Sequence, residues 1–139
     1  MDMDKILKLL RQNGERITKS RSGIIQILTR SKYPVCVEEI IKLLKKNNIY
    51  INKTTVYREI EFLKKYKLIR NADFGDGKMR FEPLTQKHHH HVICVKCSRV
   101  EDIVLKTDIR LEQSRIQELV NYKVLNHSLE FFGLCPKCR

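Results

Sequence analysis

Apolar positions in the first half of the chain recur with the spacing of helices. Isoleucines and leucines stand three or four positions apart with lysines and arginines between them, and Asn13-Gly14 and Tyr33-Pro34 interrupt the pattern. A fourth stretch of this kind follows Asn52, whose side chain is suited to capping a helix. The pattern predicts four helices, at 4–12, 20–31, 37–48 and from the cap at Asn52 to about Lys67.

Two short extended segments follow these helices, at 68–72 and 79–82. The residues between them include Gly75 and Gly77, which indicates a hairpin turn. Several short helices followed by a two-stranded hairpin are typical of a winged helix-turn-helix.

The rest of the chain predicts a smaller unit of strands and one helix. The expected strands lie at about 90–96, 99–105 and 123–132, and the expected helix lies at 108–121. Residues 83–87 are the expected hinge between the two parts. The sequence therefore predicts an α+β fold with one domain at 1–83 and another at 84–139.

Length and composition favour a small folded protein. The 139 residues are 42% hydrophobic and 32% charged, a balance typical of a globular chain rather than a disordered one. No apolar run approaches the roughly 18 residues of a membrane span, and the first residues lack the apolar region of a signal peptide. We expect a cytoplasmic protein that does not associate with membranes.

The net charge of +12 is concentrated in the first half. Residues 1–83 hold 19 Lys and Arg against 10 Asp and Glu, a net charge of +9, which leaves +3 for the rest. A basic surplus attracts polyanions, and nucleic acid is the leading candidate in a chain without membrane features. A lysine-rich surface that only keeps the protein soluble fits the same numbers.

Four of the five cysteines form two Cys-x-x-Cys pairs, Cys94 with Cys97 and Cys135 with Cys138. Two such turns supply the tetrahedral four-sulfur shell that zinc prefers. Disulfides would need an oxidising compartment, and redox pairs rarely occur as matched sets, so the spacing favours a structural zinc site. Cys36, between two valines, fits a buried small residue better than a ligand.

The fourth predicted helix begins with residues suited to DNA. In a helix-turn-helix the second helix lies in the major groove and its first residues reach base edges. The candidates there are Lys53, Thr54, Thr55, Tyr57 and Arg58. An upstream group could hold the phosphate backbone or enter a minor groove: Arg16, Lys19 and Arg21. A solvated helix face is the alternative.

Four consecutive histidines lead directly into a predicted strand. The period of two in a strand places His89 and His91 on one face and His88 and His90 on the other. The carboxylates close in sequence are Glu82, Glu101 and Asp102. A nitrogen and oxygen shell suits iron(II), manganese, cobalt, nickel or zinc without deciding among them. An expression tag would stand at a terminus, so the alternative to a metal site is an exposed strand whose histidines bind metal only adventitiously.

Four motifs stand in one order along nearly the whole chain. They are Thr55-Val56-Tyr57-Arg58, the run His88–His91 leading to Cys94-x-x-Cys97, Asn126-His127-Ser128-Leu129, and Cys135-x-x-Cys138. In this order the sequence resembles the ferric uptake regulator family of bacterial metal-dependent repressors. The resemblance implies an N-terminal winged-helix DNA-binding domain and a C-terminal α/β dimerisation domain. The homodimer would bind an AT-rich inverted-repeat operator when its sensory site holds metal.

The resemblance also implies roles for single residues. Tyr57 resembles the family's base-contacting tyrosine, Arg58 the DNA contact beside it, and Arg16 the basic residue that approaches the minor groove. The four paired cysteines match the structural zinc ligands. The residues that match the sensory ligands are Glu82, His89, His91 and Asp102, with Asp102 preferred to Glu101. A further site would use His88, His90 and His127.

Two departures from the family pattern stand out. Many members supply a sensory histidine near the start of the third helix, where this chain has Tyr33–Cys36 without one. Closure of the domains would then rest on Glu82, or on an unexpected ligand such as Cys36. The further site has His90 where an aspartate often stands, and its usual glutamate falls near 108–112.

These observations predict a metal-controlled repressor rather than an enzyme. Its cofactors would be structural zinc and a second divalent ion, with iron(II) favoured and zinc or manganese as alternatives, and relatives that sense zinc or peroxide use similar ligands. A zinc-stapled nucleic-acid-binding module without a metal switch is the other hypothesis. A metallohydrolase is disfavoured because the chain has no His-Glu-x-x-His motif, second carboxylate cluster or phosphate loop, and we expect no small-molecule substrate.

Overall fold

The computed structural model describes residues 3–84, 89–106, 109–125 and 127–139. The chain divides into two compact units, the first unit at Met1–Gln86 and the second unit at Lys87–Arg139. Most of the hinge predicted at 83–87 lies outside the described residues, as does His88.

Four helices form most of the first unit: α1 at Met3–Gln12, α2 at Lys19–Arg30, α3 at Val37–Lys46 and α4 at Lys53–Lys65. They agree with the predicted helices, although α3 and α4 end two residues early. The cap predicted at Asn52 is present, because its side chain accepts a hydrogen bond of 2.8 Å from the backbone N–H of Thr55. This bond satisfies one of the amides that have no partner inside a helix.

Fully buried aliphatic side chains from all four helices make the core of the first unit. Leu10, Ile24, Ile40, Leu44 and Ile60 are all inaccessible to solvent. Burying each of them contributes about 1.5–3 kcal/mol relative to leaving it in water. The apolar stripes seen in the sequence are therefore the faces that pack together.

A three-stranded sheet completes the first unit. Strands β2 (Ile69–Asp73) and β3 (Met79–Pro83) form the predicted hairpin, and β1 (Val35–Cys36) pairs with the other edge of β3. Gly77 has a φ of +74°, which the turn requires and which residues with a Cβ rarely adopt. Helices α1–α4 with this hairpin make a winged helix-turn-helix, as predicted.

The second unit contains one sheet and one helix. Its strands are β4 (His90–Cys94), β5 (Val100–Ile103) and β6 (Glu130–Gly133), and the helix α5 spans Ile109–Val120. Strand β4 is central, antiparallel to β5 and parallel to β6. The mixed helix and sheet architecture confirms the predicted α+β class.

The last predicted strand is wrong in its extent. The sequence predicted a strand at 123–132, but only Glu130–Gly133 adopts that conformation in the described part of the unit. The reason is that β6 pairs with His91–Cys94 of β4, which begins at His90, so the described residues before Leu129 have no part of that strand opposite them. β-propensity alone does not make a strand where no neighbour offers hydrogen bonds.

Apolar side chains of the second unit remain exposed. No described side chain of α5 is buried, and Leu119 is 82% exposed. Leu111, Ile116 and Val120 of the same helix are exposed too.

None of the helices in the described residues is long and apolar enough to span a bilayer.

Candidate metal centres and nucleic-acid interface

The two Cys-x-x-Cys turns come together because their strands are neighbours. Cys94 ends β4 and pairs in parallel register with Gly133 of β6, and Cys135 follows two positions later. The four sulfur atoms of Cys94, Cys97, Cys135 and Cys138 all lie within 4.8 Å of one another. The cluster therefore draws on residues from both ends of the second unit.

The geometry of this cluster fits zinc. The Sγ atoms of Cys97 and Cys135 are 3.7 Å apart. A tetrahedral zinc ion with zinc–sulfur bonds of about 2.3 Å needs sulfur atoms about 3.8 Å apart. All five cysteines fall within the described residues, and none of them forms a disulfide.

Backbone hydrogen bonds prepare one of the sulfurs to be a thiolate. The N–H of Cys135 donates to Cys94 Sγ at 3.4 Å. This bond, with a second from the Cys97 backbone, lowers the pKa of Cys94 to about 6. Hydrogen bonds with the sulfurs of Cys135 and Cys97 instead raise the pKa of Cys138 to about 12. A shared cation is what allows such crowded sulfurs to be ionised together.

Two histidines share one face of the second sheet with a carboxylate. The ring centroids of His89 and His91 are 5.1 Å apart, in an edge-on arrangement. Asp102 lies directly opposite His91 on β5, and its Oδ1 is 3.8 Å from His91 Nε2. Residues directly opposite each other in an antiparallel pair point to the same face.

Glu101 points to the other face and has another partner. It lies opposite Val92, and its carboxylate forms an ion pair with Arg99, whose Nε is 3.0 Å away. Of the two carboxylates that the sequence offered on this strand, only Asp102 shares the face of His91.

Glu82 belongs to the first unit, on β3. It is buried, and Arg70, opposite it on β2, donates to its carboxylate at 2.6 Å. The ion pair was not anticipated from the sequence, because the strand register that creates it depends on the turn between β2 and β3.

The opposite face of β4 holds a second pair of imidazoles. His90 Nδ1 is 3.0 Å from the carbonyl oxygen of Leu129, and its ring centroid lies 5.9 Å from that of His127. His127 Nδ1 is 2.7 Å from the side-chain nitrogen of Gln113. The resemblance aligns the usual glutamate of this site near 108–112, of which residue 108 lies outside the described residues.

Cys36 is buried, as predicted. It precedes α3, and its backbone N–H donates to the carboxylate of Glu39 at 2.8 Å, which closes the first turn of that helix. Burial raises the pKa of its thiol, so the residue is a poor thiolate donor.

Helix α4 presents polar and aromatic side chains to solvent. Lys53, Thr54, Tyr57 and Arg58 are exposed, and the Lys53 ammonium lies 5.8 Å from the centre of the Tyr57 ring. Lys53 also donates to Glu38 of α3 at 2.8 Å. Four of the five predicted recognition residues therefore line one accessible part of the helix.

Thr55, the fifth, serves the helix cap. Its hydroxyl donates to the side-chain oxygen of Asn52 at 2.9 Å, and the residue is half-buried. The hydroxyl is thus already hydrogen-bonded within the first unit.

Arg21 was predicted as a DNA contact, and in the structure its side chain packs mostly inside the first unit. Only 12% of its side chain is exposed, and its Nε donates to Glu59 of α4 at 2.7 Å. Its guanidinium also lies 3.5 Å from the ring centre of Phe62. Arg16 and Lys19, predicted in the same group, are exposed. The signal that sequence reasoning missed is the acidic partner, 38 positions away.

Comparison with known proteins gives one consistent result. The ferric uptake regulator family matches residues 12–132. A ferric uptake regulation protein from Legionella pneumophila is 33% identical over 131 residues, which cover 94% of this chain and 96% of that protein. The peroxide-responsive repressor PerR of Staphylococcus saprophyticus is 31% identical over 130 residues, covering 94% and 86%.

A solved structure has the same fold. The ferric uptake regulator Fur of Helicobacter pylori superposes with a TM-score of 0.78 at 24% identity, covering 99% of this chain and 94% of that one. Members of the family are transcription regulators rather than enzymes. With matches over nearly its whole length, the chain belongs to the ferric uptake regulator family and is a metal-responsive transcriptional regulator.

Proposed function

We propose that the protein is a repressor that binds an AT-rich inverted-repeat operator as a homodimer when its sensory site holds a divalent metal ion. The observation that carries this proposal is the accessible row of Lys53, Thr54, Tyr57 and Arg58 at the start of α4. In a winged helix-turn-helix this is the helix that enters the major groove.

The chemistry of that row suits operator DNA. The methyl group of Thr54 and the ring of Tyr57 can pack on thymine methyl groups, and Arg58 and Lys53 can contact guanine edges or phosphates. Arg16 and Lys19, both exposed, add positive charge before α2 for the backbone or a minor groove. The net charge of +9 in residues 1–83, from 19 Lys and Arg against 10 Asp and Glu, supports the same assignment.

A second copy of the chain would cover the exposed apolar residues of the second unit. Leu111, Ile116, Leu119 and Val120 lie on α5 with no described side chain of that helix buried. Monomeric proteins rarely leave such a set in water. A two-fold dimer would present two α4 helices, which matches the symmetry of an inverted repeat.

We assign the sensory ligands to His89, His91 and Asp102 of the second unit and Glu82 of the first. The proximity of the two imidazoles and the placement of Asp102 opposite His91 support the assignment within the second unit. When bound, a divalent ion supplies a positive charge that attracts all four ligands. The nitrogen and oxygen shell favours iron(II), with zinc or manganese as alternatives. The similarity to a peroxide-responsive repressor makes peroxide sensing the second candidate signal.

Structural zinc is assigned to Cys94, Cys97, Cys135 and Cys138. A further site would use His90 and His127, which are neighbours in the structure, together with His88, which lies outside the described residues. In this proposal the zinc-bound thiolates hold the second unit together. Metal binding by the sensory ligands changes the orientation in which the α4 helices are presented.

Fluorescence anisotropy under anaerobic conditions tests the proposal. Protein that retains only its tightly bound zinc is titrated with iron(II), manganese(II) or zinc(II) in the presence of a labelled AT-rich inverted-repeat duplex at fixed salt. We expect binding that requires added metal and exceeds binding to a scrambled duplex. Binding that is equally tight without added metal would leave a zinc-stapled DNA-binding module and would refute the metal switch.

A further inference from the structure

The guanidinium of Arg21 is the centre of a partly buried network in the first unit. Its Nε donates to Glu59 of α4 at 2.7 Å, and one terminal nitrogen donates to the backbone carbonyl of Arg16 at 2.7 Å. The same nitrogen lies 3.8 Å from the carboxylate of Glu15. The Arg21 side chain therefore joins α4 to residues 13–18, which we call the α1–α2 segment.

The α1–α2 segment is held at further points close to Arg21. The backbone N–H of Arg21 donates to the side-chain oxygen of Thr18 at 3.1 Å, which caps α2. The hydroxyl of Tyr66, just after α4, donates to Glu15. The segment is thus tied on one side to the start of α2 and on the other to the end of α4.

Only arginine can make this set of contacts at once. Its planar fork donates in several fixed directions, and its face lies 3.5 Å from the ring centre of Phe62. A lysine ammonium could still pair with Glu59, but it has no planar fork to hold Glu59 and the Arg16 carbonyl in fixed directions while its face lies on Phe62. Arg21 and Glu59 are 12% and 13% exposed, so the bond between these two side chains is partly shielded from water, whereas the bond to the Arg16 carbonyl lies at the exposed surface.

We propose that Arg21 is a positioning residue for DNA binding: by fixing the Arg16 backbone to Glu59, it sets the position of the Arg16 side chain relative to α4. This inference rests on the proposed function, in which Arg16 and the start of α4 both contact the operator. Glu59 directly follows Arg58, so the network links the two groups of DNA contacts through one guanidinium. Arg21 thereby contributes to specificity without reaching the DNA itself.

A double-mutant cycle on the full-length protein tests this role. The affinities of the wild type, Arg16→Ala, Arg21→Lys and the double variant are measured for the inverted-repeat and scrambled duplexes with manganese(II) at fixed salt. Each single variant is expected to lose about tenfold in affinity for the inverted repeat. The double variant is expected to lose less than about threefold more, because Arg21 acts through Arg16.

A pair of glutamates on α4 provides a second test that does not depend on the folding of Arg21→Lys. Glu59→Gln and Glu61→Gln each remove one negative charge from the same helix, and Glu61 pairs with Lys64 at 2.9 Å, outside the network. Binding to the scrambled duplex should change equally in both. Only Glu59→Gln should lower the preference for the inverted repeat over the scrambled duplex.

The outcomes separate this inference from the proposed function. If the wild type prefers the inverted repeat but the losses of Arg16→Ala and Arg21→Lys multiply, or Arg21→Lys binds like the wild type, Arg21 is not a positioning residue for Arg16. Equal behaviour of the two glutamate variants would overturn it as well. A wild type that does not distinguish the two duplexes would refute the proposed function, and the role of Arg21 with it.

Discussion

The two units of this protein bury their apolar residues in different ways. The first unit closes a core with its own helices, and side chains such as Ile60 and Leu44 are fully buried. In the second unit α5 leaves Leu119 and its neighbours in solvent, and four cysteines converge at one end of the sheet. A small unit with little core is commonly stabilised by a metal or a partner chain, so we expect zinc to hold the second unit together and a second chain to cover α5.

Removing a zinc ligand is expected to have the largest effect, and only on the second unit. Cys97→Ser should release the tightly bound zinc and unfold this unit, because structural zinc sites contribute about 10 kcal/mol or more to the folded state. The first unit should keep its helices. Zinc content by atomic absorption and protease protection of each unit measure the two effects.

Cys36→Ser is the matched control. Cys36 is buried in the first unit, so its variant should keep a full complement of zinc. A stable second unit in zinc-free Cys97→Ser would show that the four sulfurs do not support the fold.

A cavity made in the first unit should lower the stability of that unit without affecting zinc binding by the second. Ile60→Ala removes a side chain that is inaccessible to solvent and should lower the free energy of unfolding of the first unit by about 3 kcal/mol. Urea unfolding followed by circular dichroism measures the loss. The same substitution at half-exposed Ile116 of α5 should leave the transition of the first unit unchanged, and an equal shift in both variants would contradict the separation of the units.

A charge on the exposed face of α5 should separate the subunits while each remains folded. Leu119→Asp would bury a carboxylate in the proposed dimer interface and should raise the dimer dissociation constant about a hundredfold. Sedimentation equilibrium measures this constant. Tyr50→Asp, at an exposed aromatic residue of the first unit, is the control that should leave the dimer intact. If the wild-type protein sediments as a monomer, a dimer interface does not explain the exposed apolar side chains of α5.

The smallest predicted effect concerns the surface of the first unit that we propose faces DNA. Glu38 has its pKa lowered to about 2, chiefly by the hydrogen bond from Lys53, and so carries its charge at every working pH. Glu38→Gln should strengthen binding to any duplex about twofold to threefold, because it removes repulsion of phosphate and releases Lys53 from an exposed ion pair. Anisotropy at several salt concentrations would detect it, and weaker binding would instead assign Glu38 a direct contact with a base.

The elements that could be predicted from the sequence are those with a local signal. The helices of the first unit carry periodic apolar positions and, at Asn52, a capping side chain, so the sequence located them to within two residues. The spacing of the two Cys-x-x-Cys pairs predicts that their sulfurs meet at one site, and strand alternation predicts that His89 and His91 share one face.

The features that could not be predicted depend on contacts between distant residues. Strand β1 has two residues and exists because it pairs with β3. The pairing of Arg21 with Glu59 spans 38 positions, and nothing near either residue in sequence indicates the other. Gln113 meets His127 only through the path of the chain after α5. The charge of Arg21 therefore suggested a DNA contact, and its bond to Glu59 could be seen only in the fold.

The most direct test of the account compares two carboxylates on β5. Asp102→Asn and Glu101→Gln each remove one negative charge from the same strand, but only Asp102 shares the face of His91. DNA affinity is measured for zinc-replete protein as iron(II) is titrated anaerobically, with zinc content and thermal midpoint recorded for each variant. We expect Asp102→Asn to need on the order of 10 to 100 times more iron(II) for half-maximal DNA binding, and Glu101→Gln to match the wild type. If both variants respond to metal like the wild type, or if all three bind DNA without added metal, the sensory site is not where we have assigned it.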